Sequence, residues 1–141
     1  MIHFQLVSLG GVKLDTEAYE VLLPTLDGQI GVLPGHMPLI SAATNGVVSV
    51  RHQASDKDDT MDHFAISGGV IEVADDTLRV LVDEADHADE ISEAEAQKAF
   101  ELAQKMKAEA KDQVSLEHAQ SLVDRSAVRL QVAGLKRRRR S

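Results

Sequence analysis

Near residue 84 the hydrophobic periodicity of this chain changes, and that change sets what its parts can be. Before it, apolar residues recur at every second position. Leu78, Val80 and Val82 alternate with Arg79 and Asp83, Val48 and Val50 with Ser49 and Arg51, and Phe64 and Ile66 with Ala65 and Ser67. A period of two buries one face of a strand. Turn signals fall at Gly10-Gly11, Asp27-Gly28, Asn45-Gly46, Gln53 to Asp62, Gly68-Gly69 and Asp75-Asp76. Short strands with such punctuation predict an all-β sandwich or barrel over residues 1–84. The polar stretch Gln53–Asp62 reads as a solvated hairpin tip, and Gly68-Gly69 as a kink or bulge between two strand runs.

Beyond that point the sequence turns helical. Asp83 to Glu90 reads as an acidic connector, with the linker proper at 85–91. Ser92-Glu-Ala-Glu95 has the form of a capping box. Ala96, Ala99, Ala103, Met106 and Ala110 then follow at spacings of three and four, one face of a helix. A second stripe runs through Leu116, Ala119, Val123, Ala127, Leu130 and Ala133. Asp112-Gln-Val-Ser115 can turn the chain between them, with Ser115 as the expected N-cap. The pattern predicts an antiparallel helical hairpin over 92–136 and a basic tail over 137–141. Its Ala-rich seam offers little area at roughly 25 cal/mol per Å², so the hairpin is expected to be a mobile arm.

Charge divides the chain in the same place. Residues 1–90 carry 4 Lys/Arg against 16 Asp/Glu, a net of −12; residues 91–141 carry 11 against 7, a net of +4. From Arg125 onward there are seven basic residues and no acidic one. An acidic body with a basic end argues for two distinct partner surfaces and against a nucleic-acid-binding body. There is no cysteine, hence no disulfide or thiolate metal site. No apolar run is long enough to span a bilayer, and Met1–Leu6 lacks the features of a signal peptide. These features point to a soluble, cytoplasmic protein.

No catalytic constellation emerges. Phosphate-loop, dinucleotide-binding, zinc-protease and nucleophile-elbow motifs are absent. His3, His36, His52, His63, His87 and His118 show no i,i+4 pairing, so no metal site is expected. The expectation is a non-enzyme without a cofactor.

The most constrained stretch is Gly28-Gln-Ile-Gly-Val-Leu-Pro-Gly-His-Met-Pro-Leu39, a rigid loop between strands. It resembles the GxxGVLPGHxPL loop of the epsilon subunits of F-type ATP synthases. Phe64-Ala-Ile-Ser-Gly-Gly-Val-Ile-Glu-Val73 is similar to that family's FAVSGGFLEV-like strand pair. The resemblance runs nearly end to end. It implies an N-terminal antiparallel β-sandwich followed by a C-terminal antiparallel α-helical hairpin. It also implies a non-catalytic central-stalk subunit that couples the gamma subunit to the c ring.

By the same resemblance, the chain reaches the membrane only through the complex, at the cytoplasmic face of the inner membrane. Asp27, Gly28 and Gln29 would face the c ring and His36 would lie toward gamma, with Gly31, Pro34, Gly35 and Pro38 in the same gamma and c-ring docking surface. The helices would inhibit ATP hydrolysis by meeting the beta and alpha subunits through Arg125, Arg129, Lys136, Arg137, Arg138, Arg139 and Arg140. One departure stands out. Family members that bind ATP carry Ile-Asp-x-x-Arg-Ala where this chain has Ile91-Ser-Glu-Ala-Glu-Ala96. Glu93 and Glu95 would repel a triphosphate, so ATP binding is not expected. The alternative is a stand-alone adaptor or nucleotide-sensing module using the basic arm.

Overall fold

The structure, a computed structural model, describes residues 1–140, with side chains through Leu135. Eight strands come first: β1 (Ile2–Ser8), β2 (Gly11–Ala18), β3 (Glu20–Thr25), β4 (Gly28–Val32), β5 (Leu39–Ala43), β6 (Gly46–Arg51), β7 (Asp62–Ala74) and β8 (Thr77–His87). Helices α1 (Glu93–Glu109) and α2 (Gln113–Arg140) follow. The strands form a β-sandwich in the order β2-β1-β8-β7-β5-β3-β4, with β6 paired to β3 and β7. All pairs are antiparallel except β1 with β8, which run parallel and join the start of the sandwich to its end. The aliphatic core has Ile2, Phe4, Leu6, Val21, Leu23, Val48, Val50, Ile71, Leu78 and Val80 at its centre.

The Gly68-Gly69 pair organises this sandwich. Up to Ile66 the inward residues of β7 are even-numbered (Phe64, Ile66), and beyond the glycines they are odd (Ile71, Val73). Opposite, β8 changes the same way between Val82 and Ala85. The register between the strands is unshifted, since Ser67 faces Glu84 and Gly69 faces Val82. No extra residue is inserted, so the kink is shared by both strands. Gly68 and Gly69 have φ of 51° and 147°, and a Cβ on Gly69 would lie 2.1 Å from the Leu81 carbonyl oxygen. Only glycine fits both constraints. Here β7 changes neighbour, from β6 over its first half to β5 over its second.

Four local expectations change. The acidic stretch from Asp83 is strand rather than connector as far as His87, because Glu84, Asp86 and His87 pair with Ser67, Ala65 and Phe64. A 3-10 turn, Ala88–Glu90, then leads into α1. Ser92 caps α1 by accepting from the Glu95 N–H at 3.3 Å. The cap of α2 is Asp112, not Ser115: its Oδ1 accepts from the Ser115 N–H at 2.7 Å. That bond holds the Asp112 carboxyl below its ordinary pKa. The Gln53–Asp62 tip is anchored, with Met61 buried and Arg51 bonded to Glu20 and Asp58. Arg137–Arg140 continue α2 rather than following it.

The hairpin is folded against the sandwich. Val132 and Ala133 of α2 and Ala96 of α1 pack with Ala65, Ala88 and Ile91 in a second, smaller core. Ala103 and Ala119, both buried, lie on the two helices. No helix among the described residues is long and apolar enough to cross a membrane.

Candidate functional site

Leu33-Pro34-Gly35-His36 is a type II turn: the His36 N–H donates to the Leu33 carbonyl at 3.1 Å, and Gly35 has φ of 83°. Proline at the second position and glycine at the third are what that turn demands. The Gly35 N–H donates to Asp76 Oδ1 at 2.7 Å, and the His3 N–H donates to the Asp76 carbonyl at 2.9 Å. Asp76 sits in the β7–β8 turn, where Asp75 and Asp76 both have positive φ. One aspartate therefore ties the loop, β1 and the β7–β8 hairpin together. The sequence marked Asp75-Asp76 only as a turn.

Asp27 lies in the β3–β4 turn, Gly28, Gln29 and Gly31 on β4, and Pro34, Gly35, His36 and Pro38 in the connection to β5. All are exposed except His36, which is half-buried. Its Nδ1 lies 2.7 Å from the Met37 carbonyl. That oxygen can only accept, so the ring proton is on Nδ1. The loop is thus a rigid, exposed projection.

Sequence reasoning missed an apolar row on the surface. On the outer face of one half of the sandwich, Ala42, Val70, Leu81, Val7 and Val12 stand directly opposite one another across β5, β7, β8, β1 and β2. Val12, Val70 and Leu81 remain 65%, 44% and 42% exposed. Ile40 and Met37 extend the apolar surface toward the loop, at 76% and 72% exposure. The adjoining row is polar: Arg79 Nε donates to Gln5 Oε1 at 3.2 Å, and Gln5 donates to Asp15 at 3.3 Å. Next to it, His3 bridges Asp15 and Glu17 at 2.7 and 3.0 Å. The hydrogen bond to Glu17, then the charges nearby, raises the His3 pKa. A contiguous apolar row with a polar rim is the composition of a docking surface. The helices pack on the other half, over β6 and the first part of β7.

There Arg125 pairs with Glu84 at 3.3 Å and Arg129 pairs with Asp86. The structure brings these two arginines together on one face, as their i,i+4 spacing implies. It also shows what the sequence did not: both are engaged by acids of β8. The side chains of Lys136, Arg137, Arg138, Arg139 and Arg140 lie outside the described residues. At the junction into α1, His52 Nε2 and His87 Nε2 share the Asp62 carboxylate at 2.6 and 3.0 Å, so two histidines far apart in sequence meet. Ile91 and Ala96 are buried, and Glu93 and Glu95 project outward from the first turn of α1.

A sandwich with a rigid loop and an apolar outer row, carrying a folded helical hairpin, defines a subunit built to dock within a larger assembly. Residues 1–88 match the family described as ATP synthase, Delta/Epsilon chain, beta-sandwich domain. The chain is 32% identical over 133 residues to the ATP synthase epsilon chain of Nitratidesulfovibrio vulgaris, covering 94% of this chain and 96% of that one. It is 39% identical over 122 residues to that of Synechococcus elongatus, covering 85% of each. Its fold is also similar to a chain in the OSCP/F1/c-ring structure of Euglena gracilis mitochondrial ATP synthase. There the TM-score is 0.77 at 23% identity, over 94% of this chain and 80% of that one. The chain belongs to the epsilon chains of F-type ATP synthase, which are non-catalytic subunits.

Proposed function

We propose that this chain couples the gamma subunit to the c ring in the central stalk, and that its helical arm restrains ATP hydrolysis. The observation that carries the coupling role is the apolar row Ala42–Val70–Leu81–Val7–Val12. Its exposed side chains need a partner, and the rigid 33–38 connection beside it loses little entropy on docking. Asp27, Gly28 and Gln29 would meet the polar loops of the c ring and His36 would lie toward gamma, with Gly31, Pro34, Gly35 and Pro38 in the same docking surface. The chain would then be peripheral, held at the cytoplasmic face of the inner membrane by the complex alone. For restraint, Arg125, Arg129 and Lys136–Arg140 would meet acidic surfaces of the beta and alpha subunits once the arm leaves the sandwich. Charge steering lets such a contact form without a large apolar interface.

The test is co-purification with the cognate gamma subunit. Val70→Asp with Leu81→Asp places two charges in the apolar row without touching the core. Gamma capture is expected to fall by at least about 30-fold, since desolvating a charge costs about 2 kcal/mol or more. Undiminished capture by a folded variant would sink the docking reading. For the arm, deletion of 92–141 is expected to raise hydrolysis by the assembled complex. An unchanged rate would leave only the coupling role.

A further inference from the structure

We propose that Glu84 and Asp86 form a two-toothed electrostatic key. It sets the register of α2 on the sandwich and competes for the arginines that an acidic partner would take. The second half rests on the function proposed above; the first stands on geometry alone.

Arg125 and Arg129 lie one helical turn apart, an axial separation of about 6 Å. Glu84 and Asp86 lie two residues apart on one face of β8, about 6.6 Å. These spacings match closely enough for both pairs to close together, Arg125 on Glu84 and Arg129 on Asp86. Both pairs ascend in number together, so α2 and the end of β8 run the same way. A slip of one turn would leave one acid and one arginine unpaired.

The second core could not fix that register alone. Four of its six buried members, Ala65, Ala88, Ala96 and Ala133, are alanine, and small side chains discriminate weakly between neighbouring positions. The kink at Gly68-Gly69 supplies the aim. By changing the parity of β8 between Val82 and Ala85, it turns Ala85 into the core and both acids outward beneath α2.

A cavity of about 10 Å³, space for about one water, lies among Ser67, Glu84, Asp86, Arg125 and Arg129. Ser67 Oγ and Arg125 Nε, both buried, have no protein partner there. The arginine side chains are still 39% and 36% exposed, so the pairs weaken with salt. While they hold, each guanidinium has part of its fork on β8, so an acidic partner must compete with Glu84 and Asp86 for it. Docking on the sandwich and engagement of an acidic partner therefore compete for the same two arginines.

The test uses the full chain and hydrogen exchange at about 0.05 and 0.5 M salt. In Glu84→Gln with Asp86→Asn, amides at 125–133 are expected to exchange about threefold to tenfold faster at low salt, with the β1–β8 amides unchanged. The salt sensitivity of the wild type should disappear. Equal protection and equal salt response in both proteins would overturn the key. A fourfold exchange of charge, Glu84→Arg, Asp86→Arg, Arg125→Glu and Arg129→Glu, should restore protection. Protection that stays lost would show that the acids do not act by pairing.

In the assembled complex the Gln/Asn variant is expected to inhibit hydrolysis more strongly, and the charge-exchanged protein to lose inhibition. Changed protection with unchanged hydrolysis would retain the key and overturn the competition.

Discussion

Val132 offers the cleanest measure of how strongly the arm is held. It is fully buried and is the larger of the two buried side chains that α2 contributes to the second core, the other being Ala133; Val128 and Leu130 pack against that core half-buried. Val132→Ala removes two methyl groups, about 1.6 kcal/mol of transfer free energy. The hole left behind adds up to about 1 kcal/mol, because the surroundings of a deleted core group relax only in part. A loss of about 2–2.5 kcal/mol corresponds to a rise of about 30- to 60-fold in the open population. The second core shares no member with the main one, so the loss should fall on the arm. In hydrogen exchange on the full chain, amides at 128–134 should speed up by that factor, with those of Ile71 and Val80 unmoved. An increase below about threefold would refute the energetic reasoning. An equal increase in both sets would mean that arm and sandwich open as one unit.

Other perturbations separate backbone, charge and ligand effects. Gly69→Ala is expected to lower unfolding free energy by about 3 kcal/mol or more, read as a shifted urea midpoint, because its Cβ has no space and its φ is 147°. Gly134→Ala meets nothing within 4 Å in α2 and should stabilise by about 0.5–1 kcal/mol in the same assay. The raised His3 pKa stabilises fully below the unfolded value of about 6.5 and fades as pH rises through the folded one. The midpoint difference between wild type and His3→Gln should therefore be present at acid pH and vanish at alkaline pH. Asp112 has the opposite sign: its depressed pKa stabilises above the unfolded value and is lost as pH falls through the folded one. Asp112→Ala should thus matter at neutral pH and cease to matter in strong acid. Isothermal titration is expected to find no micromolar ATP binding, given Glu93 and Glu95 beside Ser92; micromolar affinity would refute that reading.

Much of the fold was legible because periodicity is a local record of which face is buried. Leu78, Val80 and Val82 declared their strand, and the stripe from Ala96 to Ala110 declared α1. The failures are equally physical. Asp83 to His87 looked like a solvated connector because its charges mask the strand pattern. Those charges face outward, and Ala85 alone points into the core. Leu81 broke the alternation of β8 and carried the missed signal, since an apolar residue on a solvent face calls for a partner. The α2 cap was misplaced by three residues because Asp112 and Ser115 are both good caps, and only the hydrogen bond distinguishes them.

The sequence alone determined the order of parts, a sandwich then a hairpin, and the Pro/Gly turn at 33–36; the single loop expected over 28–39 is instead strand β4 as far as Val32, followed by a connection to β5. Backbone freedom at glycine and proline and the spacing of apolar residues are properties of neighbours in the chain. Only the tertiary structure decided which distant residues meet. It placed Asp76 under Gly35, aligned Ala42, Val70, Leu81, Val7 and Val12 across five strands, and set Arg125 and Arg129 on Glu84 and Asp86. Those contacts depend on strand register and on the parity change at Gly68-Gly69, and register arises only when separated segments pair.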